Sequence, residues 1–565
     1  MSNKGKTMQQ YPWEAHYPDG IAWQESFHGR PMHFLLEDAV KRWPNNIALD
    51  FLGKTYSYAA LLSAVNRLAR GMQTLGVGKG TRVGLFLPNC PQYVMAYYAV
   101  LKAGGTVVNF NPLYSTHEIE HQINDAEVEI MVTVNLHLTY DKLAQFVGKG
   151  VLRKIVVAHF EDALPFPKSL LFPLAKRKDV AQYPNDEFHI ALHTLLRSPE
   201  VTDVPNILPD TAIAVLQYTG GTTGVPKGAC LTHSNLYINA QQCSRWMKGL
   251  EPGNERLLAV IPFFHVFAMT VALNMAIANG MTIIIHPKFE IKKVLADIDK
   301  KKPTLMPGVS TLYATINNCK YLGKYDLSSI KMCISGGGPL PIEVKEQFEK
   351  VTGCILVEGY GLTESSPVTH CNPLFGKQIS GSIGVPLPGT ICEIIDKDDH
   401  VTVMKPGEIG EVCIRGPQVM QGYLNKPSET DNVLRNGRLH TGDLGKMDEQ
   451  GYFYIVDRLK EMIIVGGYNV YPRNVEEVLY THPAIAEAAV LGLNHPTRGQ
   501  MIKAYIVLKD KQTVDEATLK TYLKQNMSAY AVPHAYEFRS NLPKSMIGKI
   551  LKKELLAEEK ARGNA

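Results

Sequence analysis

The chain has 565 residues, of which 45% are hydrophobic and 20% charged, and 59 Lys+Arg against 54 Asp+Glu give a formal net charge of +5. That length exceeds what one core fills, so two or more domains are expected, while so thin a charge argues against nucleic-acid binding. The polar start MSNKGKTMQQYPWEAHYPDG does not read as a signal peptide, and no apolar run approaches the roughly 18 residues of a membrane span.

Helical and strand-like stretches alternate from about Tyr56. TYSYAALLSAVNRLARGMQTLG carries apolar residues at helical spacing and stops at Gly76. TRVGLFLP is a short apolar run closed by Pro88, hence a strand; PQYVMAYYAVLKAGG is a helix ended by Gly104 and Gly105; TVVNFNP is strand-like again. This rhythm predicts an α/β fold whose large N-terminal domain has parallel-rich sheets covered by helices. Further on, ALPFPKSLLFPLAKRK (163–178) interrupts its leucines and phenylalanines with Pro165, Pro167 and Pro173 and then runs into Lys176, Arg177 and Lys178. Two readings stay open there: a loop covering the core, or a contact with an anionic membrane surface. Near Asp457, GYFYIVD reads as the last strand of the large domain, and IIVGGYNVYPRNVEEVLYTHPAIAEAAVLGL starts a new unit. The division expected is 1–456, a hinge at 457–460 with Asp457 and Lys460, and a small mobile α+β domain over 461–565. Nine scattered cysteines without a C-x-x-C pair argue against a disulfide framework or thiolate metal site, so a cytoplasmic setting is expected.

Five short motifs carry chemistry. Tyr218–Gly228, YTGGTTGVPKG, follows the strand-like AIAVLQ; its glycines allow close backbone approach, Thr219, Thr222 and Thr223 offer hydroxyls, and Lys227 a positive charge. It suits a polyphosphate better than a plain linker, although it is not a P-loop, since no G-x-x-x-x-G-K-[ST] is present. Gly359–Glu364, GYGLTE, after Glu358, sets an aromatic ring, a hydroxyl and a carboxylate together. Tyr360 can stack on a purine, Thr363 donate to a phosphate and Glu364 hold Mg²⁺; the plain alternative is a turn with a helix cap at Thr363. The acid of Thr441-Gly442-Asp443 suits a ribose, although alone it reads as an Asp in a β-turn. Asp457–Lys460 (DRLK) and Pro543–Lys549 (PKSMIGK) read in isolation as a charged turn and a basic tail.

Together and in this order, YTGGTTGVPKG … PFFH … GYGLTE … TGD … IVDRLKEMI … PKSMIGK resemble the acyl-adenylate-forming enzymes, from about Tyr56 to Leu555. Within them HVFAMTVALNMAIANG, ISGGGPLP and VEGYGLTESSPV look closest to bacterial long-chain fatty-acid–CoA ligases. The resemblance implies ATP-dependent ligation of a medium- to long-chain fatty acid to coenzyme A through acyl-AMP, with Mg²⁺. Thr219, Gly220, Gly221, Thr222, Thr223, Gly224 and Lys227 would wrap the phosphates. Gly336, Gly337, Gly338 and Tyr360 would form the adenine slot, with Glu358, Gly359 and Gly361 also binding the nucleotide. Thr363 would meet the α-phosphate, Glu364 and Thr219 the metal, Asp443, Ile455 and Arg458 the ribose side. Lys549 would bridge carboxylate and α-phosphate. His265, Met269, Val309 and Gly361 would line the acyl site, with Gly361 leaving open a tunnel that a tryptophan blocks in acetate-restricted relatives; His265 is equally read as a structural ring beside aromatics. Gly466, Gly467 and Tyr468 would border the coenzyme A tunnel. One departure from the pattern is Lys552-Lys553, where many relatives carry arginines. Rival readings are a dicarboxylate–CoA ligase, a carrier-loading enzyme, a luciferase-like oxygenase and a non-catalytic acyl or nucleotide sensor; a homodimer also stays open.

Overall fold

The computed structural model describes residues 11–219, 226–247, 249–465, 468–495, 499–545 and 548–562. A seven-stranded sheet runs in the order His189–Ala191, Lys154–Ala158, Ile130–Val134, Arg82–Phe86, Thr106–Asn109, Ile213–Thr219, Lys227–Thr232. It is parallel except at its last pair, where Thr219 stands opposite Lys227. Strands Lys54–Ser57, Ile47–Phe51, Thr282–Ile285 and Arg256–Ala259 form another sheet, which a bridge at Leu305 joins to Met332–Ser335 and Ile355–Gly361. Helix Pro91–Lys102 packs between these sheets with every residue buried. Its tyrosines keep their hydroxyls satisfied there: Tyr93 donates to Asn109 Oδ1 at 2.7 Å and Tyr98 to Asn274 Oδ1 at 2.9 Å. A helix apolar on all sides has no other stable place.

The alternation read from sequence understates the antiparallel part. Ile391–Ile395, Gly410–Arg415, Leu434–Arg435, Arg438–Met447 and Phe453–Arg458 make a five-stranded sheet that is antiparallel throughout. After Arg458 the chain leaves it, and Ile463–Val465 opens a second five-stranded sheet with Tyr468–Val470, Ile485–His495, Gly499–Leu508 and Ala535–Arg539. Helices Pro472–Tyr480 and Glu516–Asn526 complete a separate small core around Val475, Leu479, Leu519 and Leu523.

This topology gathers the motifs. Thr219 ends its strand, Gly336 follows Met332–Ser335, and Gly361 ends Ile355–Gly361. All three lie at carboxyl ends of strands, where open α/β sheets place their ligands.

Candidate active site

Lys549 lies in the chain between strand Ala535–Arg539 and helix Lys552–Ala561. Its loop sits on the large domain: Gly548 has φ +76°, and a Cβ there would come within 2.0 Å of Thr311 Oγ1. Glycine is therefore required twice, by conformation and by space. The Lys549 ammonium enters a cleft where desolvation and then the Arg458 charge lower its pKa to about 8, with Asp443 and Glu461 acting against them. The side chain as a whole keeps an exposed flank.

Asp443 is nine-tenths buried and held from two sides. Tyr360 donates its hydroxyl to Oδ2 at 2.6 Å, and Arg458 Nε lies 3.2 Å from Oδ1. The turn beneath has its own clamp, unforeseen from sequence. Gly442, at φ +72°, donates its N–H to Glu411 Oε1 at 2.9 Å, while His440 Nδ1 meets Glu411 Oε2 at 2.7 Å. Ile455 is half-buried on the neighbouring strand, opposite Gly445. Tyr360 thus arrives pre-oriented by the carboxylate expected on the ribose, beside Gly336, where a Cβ would touch the Phe267 ring at 3.0 Å.

Glu358 is buried, and burial pushes its pKa up to about 7 against the pull of Arg473, whose Nη2 stands 3.9 Å away from across the small domain. Glu364 Oε1 accepts the Tyr423 hydroxyl at 2.6 Å. Lys227 pairs with Glu429 and lies 5.3 Å from the Tyr423 ring centroid. Tyr423 and Glu429 therefore join the phosphate side of the site, and neither stood out in the sequence. Gly220, Gly221, Thr222, Thr223 and Gly224, and likewise Gly466 and Gly467, lie outside the described residues. Tyr468 is exposed and stacked on Tyr530, with ring centroids 4.7 Å apart.

His265 faces the lysine. Its Nδ1 accepts the Phe267 N–H at 3.4 Å, so Nε2 carries the proton; desolvation, then the Lys549 charge, lowers its pKa to about 4. The ring is therefore neutral, with Nε2–H as its free donor. The chain after it is a π-helical turn, Ala268–Asn274, tied by Thr270 Oγ1 to the Ser366 carbonyl at 2.6 Å. Such turns recur at functional sites. Met269 is fully buried and Val309 nearly so. Farther along that turn, an apolar cavity of about 10 Å³ is lined by Met247, Val271, Met275, Leu305, Met332 and Ile334. It has room for no acyl chain as it stands, but three of its walls are methionines, whose unbranched side chains yield readily.

Gly361 needs a different explanation from the one its motif suggests. A Cβ there would lie 2.0 Å from the Pro367 carbonyl oxygen, so a side chain would head into backbone, not down an acyl tunnel. That same carbonyl accepts the Leu362 N–H at 3.2 Å and the Ser365 hydroxyl at 2.6 Å, closing the turn that carries Thr363 and Glu364. Gly361→Ala is therefore expected to cost about 1–3 kcal/mol by overpacking, read as a lower melting temperature, with relative rates across acid lengths unchanged. An unaltered melting temperature with a shift toward short acids would restore the tunnel role.

The model of the AMP-binding enzyme family matches residues 36–424, and that of the AMP-binding enzyme C-terminal domain matches residues 474–549. A long-chain-fatty-acid–CoA ligase of Bacillus subtilis (strain 168) is 45% identical over 555 residues, covering 97% of this chain and 98% of that one. ATP-bound MatB from Rhodopseudomonas palustris matches the fold with TM-score 0.83 at 27% identity, over 94% of this chain and 99% of that one. The anthranilate CoA ligase AuaEII in complex with anthranoyl-AMP matches with TM-score 0.84 at 25% identity, over 96% of this chain and 100% of that one.

Proposed function

We propose that this chain, which belongs to the AMP-binding enzyme family, joins a long-chain fatty acid to coenzyme A in two steps through an acyl-adenylate. The observation that carries the reading is the docked Lys549 loop, with Gly548 against Thr311 and the lysine facing His265, Arg458 and Asp443. The acid's carboxylate attacks the α-phosphorus of ATP and pyrophosphate leaves. Negative charge gathers between the two reactants, and Lys549 offsets it there. His265 donates Nε2–H toward the carboxylate, a role open to it because the ring stays neutral. Asp443, fixed by Tyr360 and Arg458, accepts from the ribose hydroxyls. Glu364, a hard carboxylate with one oxygen already oriented by Tyr423, would hold Mg²⁺, which would supply positive charge against the phosphates. Lys227 exchanges Glu429 for phosphate.

For the second step the small domain turns about 457–460, withdrawing Lys549 and bringing 466–468 to the acyl group, so that one cleft serves two incompatible reactions. Support for a pivot there comes from the change of sheet between Phe453–Arg458 and Ile463–Val465. A long acyl chain is supported by the 45% identity to the Bacillus subtilis long-chain-fatty-acid–CoA ligase, each further buried CH₂ adding about 0.8 kcal/mol. A panel of acids from acetate upward, read as coenzyme A-dependent AMP release, tests this. Rates are expected to rise with chain length; a protein fastest on acetate, or on a dicarboxylate, would overturn the substrate class.

A further inference from the structure

Residues 163–178 play no part in the site above. Their helix, Lys168–Ala175, has Pro173 inside it and buries none of its eight residues. Phe166 is 80% exposed, Leu170 66%, Leu171 55% and Leu174 77%. Helical spacing puts Leu170, Leu171 and Leu174 on one face. Phe172 points the other way, onto Phe160 with ring centroids 5.3 Å apart, and fastens the helix to the turn Phe160–Ala163. Core cover, one of the two readings open from sequence, thus holds for Ala163, Leu164 and Phe172, and not for the exposed leucines. Single exposed leucines need no explanation, but such a concentration does.

The flanking charges select what meets this face. Between 165 and 178 there are four cations, Lys168, Lys176, Arg177 and Lys178, and no carboxylate. All are exposed, and among the described residues only Lys176 has an ion pair, with Asp179 at 3.4 Å. An apolar tip flanked by unpaired cations complements a bilayer with anionic headgroups, whose acyl region takes the leucines and whose phosphates take the lysines and arginine. We propose that 163–178 seats the protein on an anionic bilayer surface as an interfacial anchor. It does not cross: no helix among the described residues is long and apolar enough to do so. The purpose of the anchor rests on the ligase reading, because a long-chain fatty acid resides in the bilayer; the anchor itself rests on exposure and charge.

Sedimentation with phosphatidylcholine vesicles, with and without phosphatidylglycerol, at low salt tests it. The full chain is expected to pellet with the anionic vesicles. Leu171→Asp with Leu174→Asp should lower partitioning about tenfold or more, and Phe172 is left intact because it packs on Phe160. Replacing Lys168, Arg177 and Lys178 by Gln should lower it about fivefold per cation, on anionic vesicles only. Both variants should keep the wild-type melting temperature and the wild-type rate on octanoate, and lose rate on oleate delivered in vesicles. Wild-type protein that stays in the supernatant with anionic vesicles overturns the anchor, as does a variant that binds undiminished. A wild-type dimer in sedimentation velocity that the Asp pair converts to monomer also overturns it, by making a second copy the occupant. Failure of the ligase reading looks different: vesicle binding intact, with no acid accepted.

Discussion

Lys549→Ala is expected to lose about 10²–10³-fold in adenylate formation while still passing acyl groups from supplied acyl-adenylate to coenzyme A. The lysine's ammonium is the cation that the docked loop delivers between Arg458, Asp443 and His265, and its charge matters only while charge is building at phosphorus. ATP–pyrophosphate exchange reads the first half-reaction and thioester formation from synthetic acyl-AMP the second. Equal losses in both would contradict the assignment. The same lysine gives a pH signature. Its pKa is lowered, to about 8 in the unliganded cleft, and the protonated form is the active one. Exchange should therefore fall as pH rises through that value, and Lys549→Arg, which keeps its proton, should shift the fall upward. Phosphate charge in the ATP complex raises the lysine's pKa, so the fall should appear in kcat/KM at lower pH than in kcat.

Lys552→Met is expected to destabilise the protein by about 3 kcal/mol, the low end of what breaking a buried ion pair costs. Lys552 Nζ lies 3.0 Å from Glu461 and 2.9 Å from Glu476. Burial works against the ammonium, but Glu476, Glu461 and Asp457 outweigh it and raise its pKa. Asp457 is itself pushed up to about 6 by burial, with Lys552 the main force holding it down. Without the lysine the folded-state pKa of Asp457 should climb further. A carboxylate raised on folding adds stability that is full below its unfolded pKa and lost as pH rises through the folded one. The variant's melting-temperature deficit should therefore be largest near pH 7 and shrink toward pH 5. A deficit independent of pH would dismiss the charge cluster as its cause. Exchange activity should fall along with stability, because Lys549 belongs to the same short segment.

The motifs were legible because each is local: three to eleven consecutive residues, where spacing alone limits the chemistry. Their partners were not, because they come from far along the chain. Glu411 clamps Gly442 from 31 residues away, Glu429 meets Lys227 across 202, and Tyr423 reaches Glu364 across 59. Lys552 read as a trivial exchange for arginine, since nothing in KILKK reveals that Glu461 and Glu476 fold onto it. Gly361 is ambiguous for another reason. A missing side chain has two meanings, room for a ligand or closeness of backbone, and only the position of Pro367 separates them. In the fold, alternation of helices and strands anticipated the parallel sheets, whereas the antiparallel strands of 391–458 come as short runs between turns and leave no such rhythm.

Lys549 and Lys552 stand three residues apart, one facing Arg458, Asp443 and His265 and the other bound to two carboxylates that follow 460, Glu461 and Glu476. The segment is thus a bolt cast in one piece with its handle. Glu461 and Glu476 grip Lys552, and that grip fixes how far Lys549 reaches. The reacting lysine has little freedom to slip out of the cleft by itself while the rest of the small domain stays put. In the two-step reading proposed above, withdrawal and rotation would then be one event along one coordinate, and partly opened forms, with adenylate made and the cleft unguarded, would gain no stability of their own. An intermediate prone to hydrolysis is thereby exposed only when the second reaction is ready to take it, an interlock that costs the chain a single buried cation.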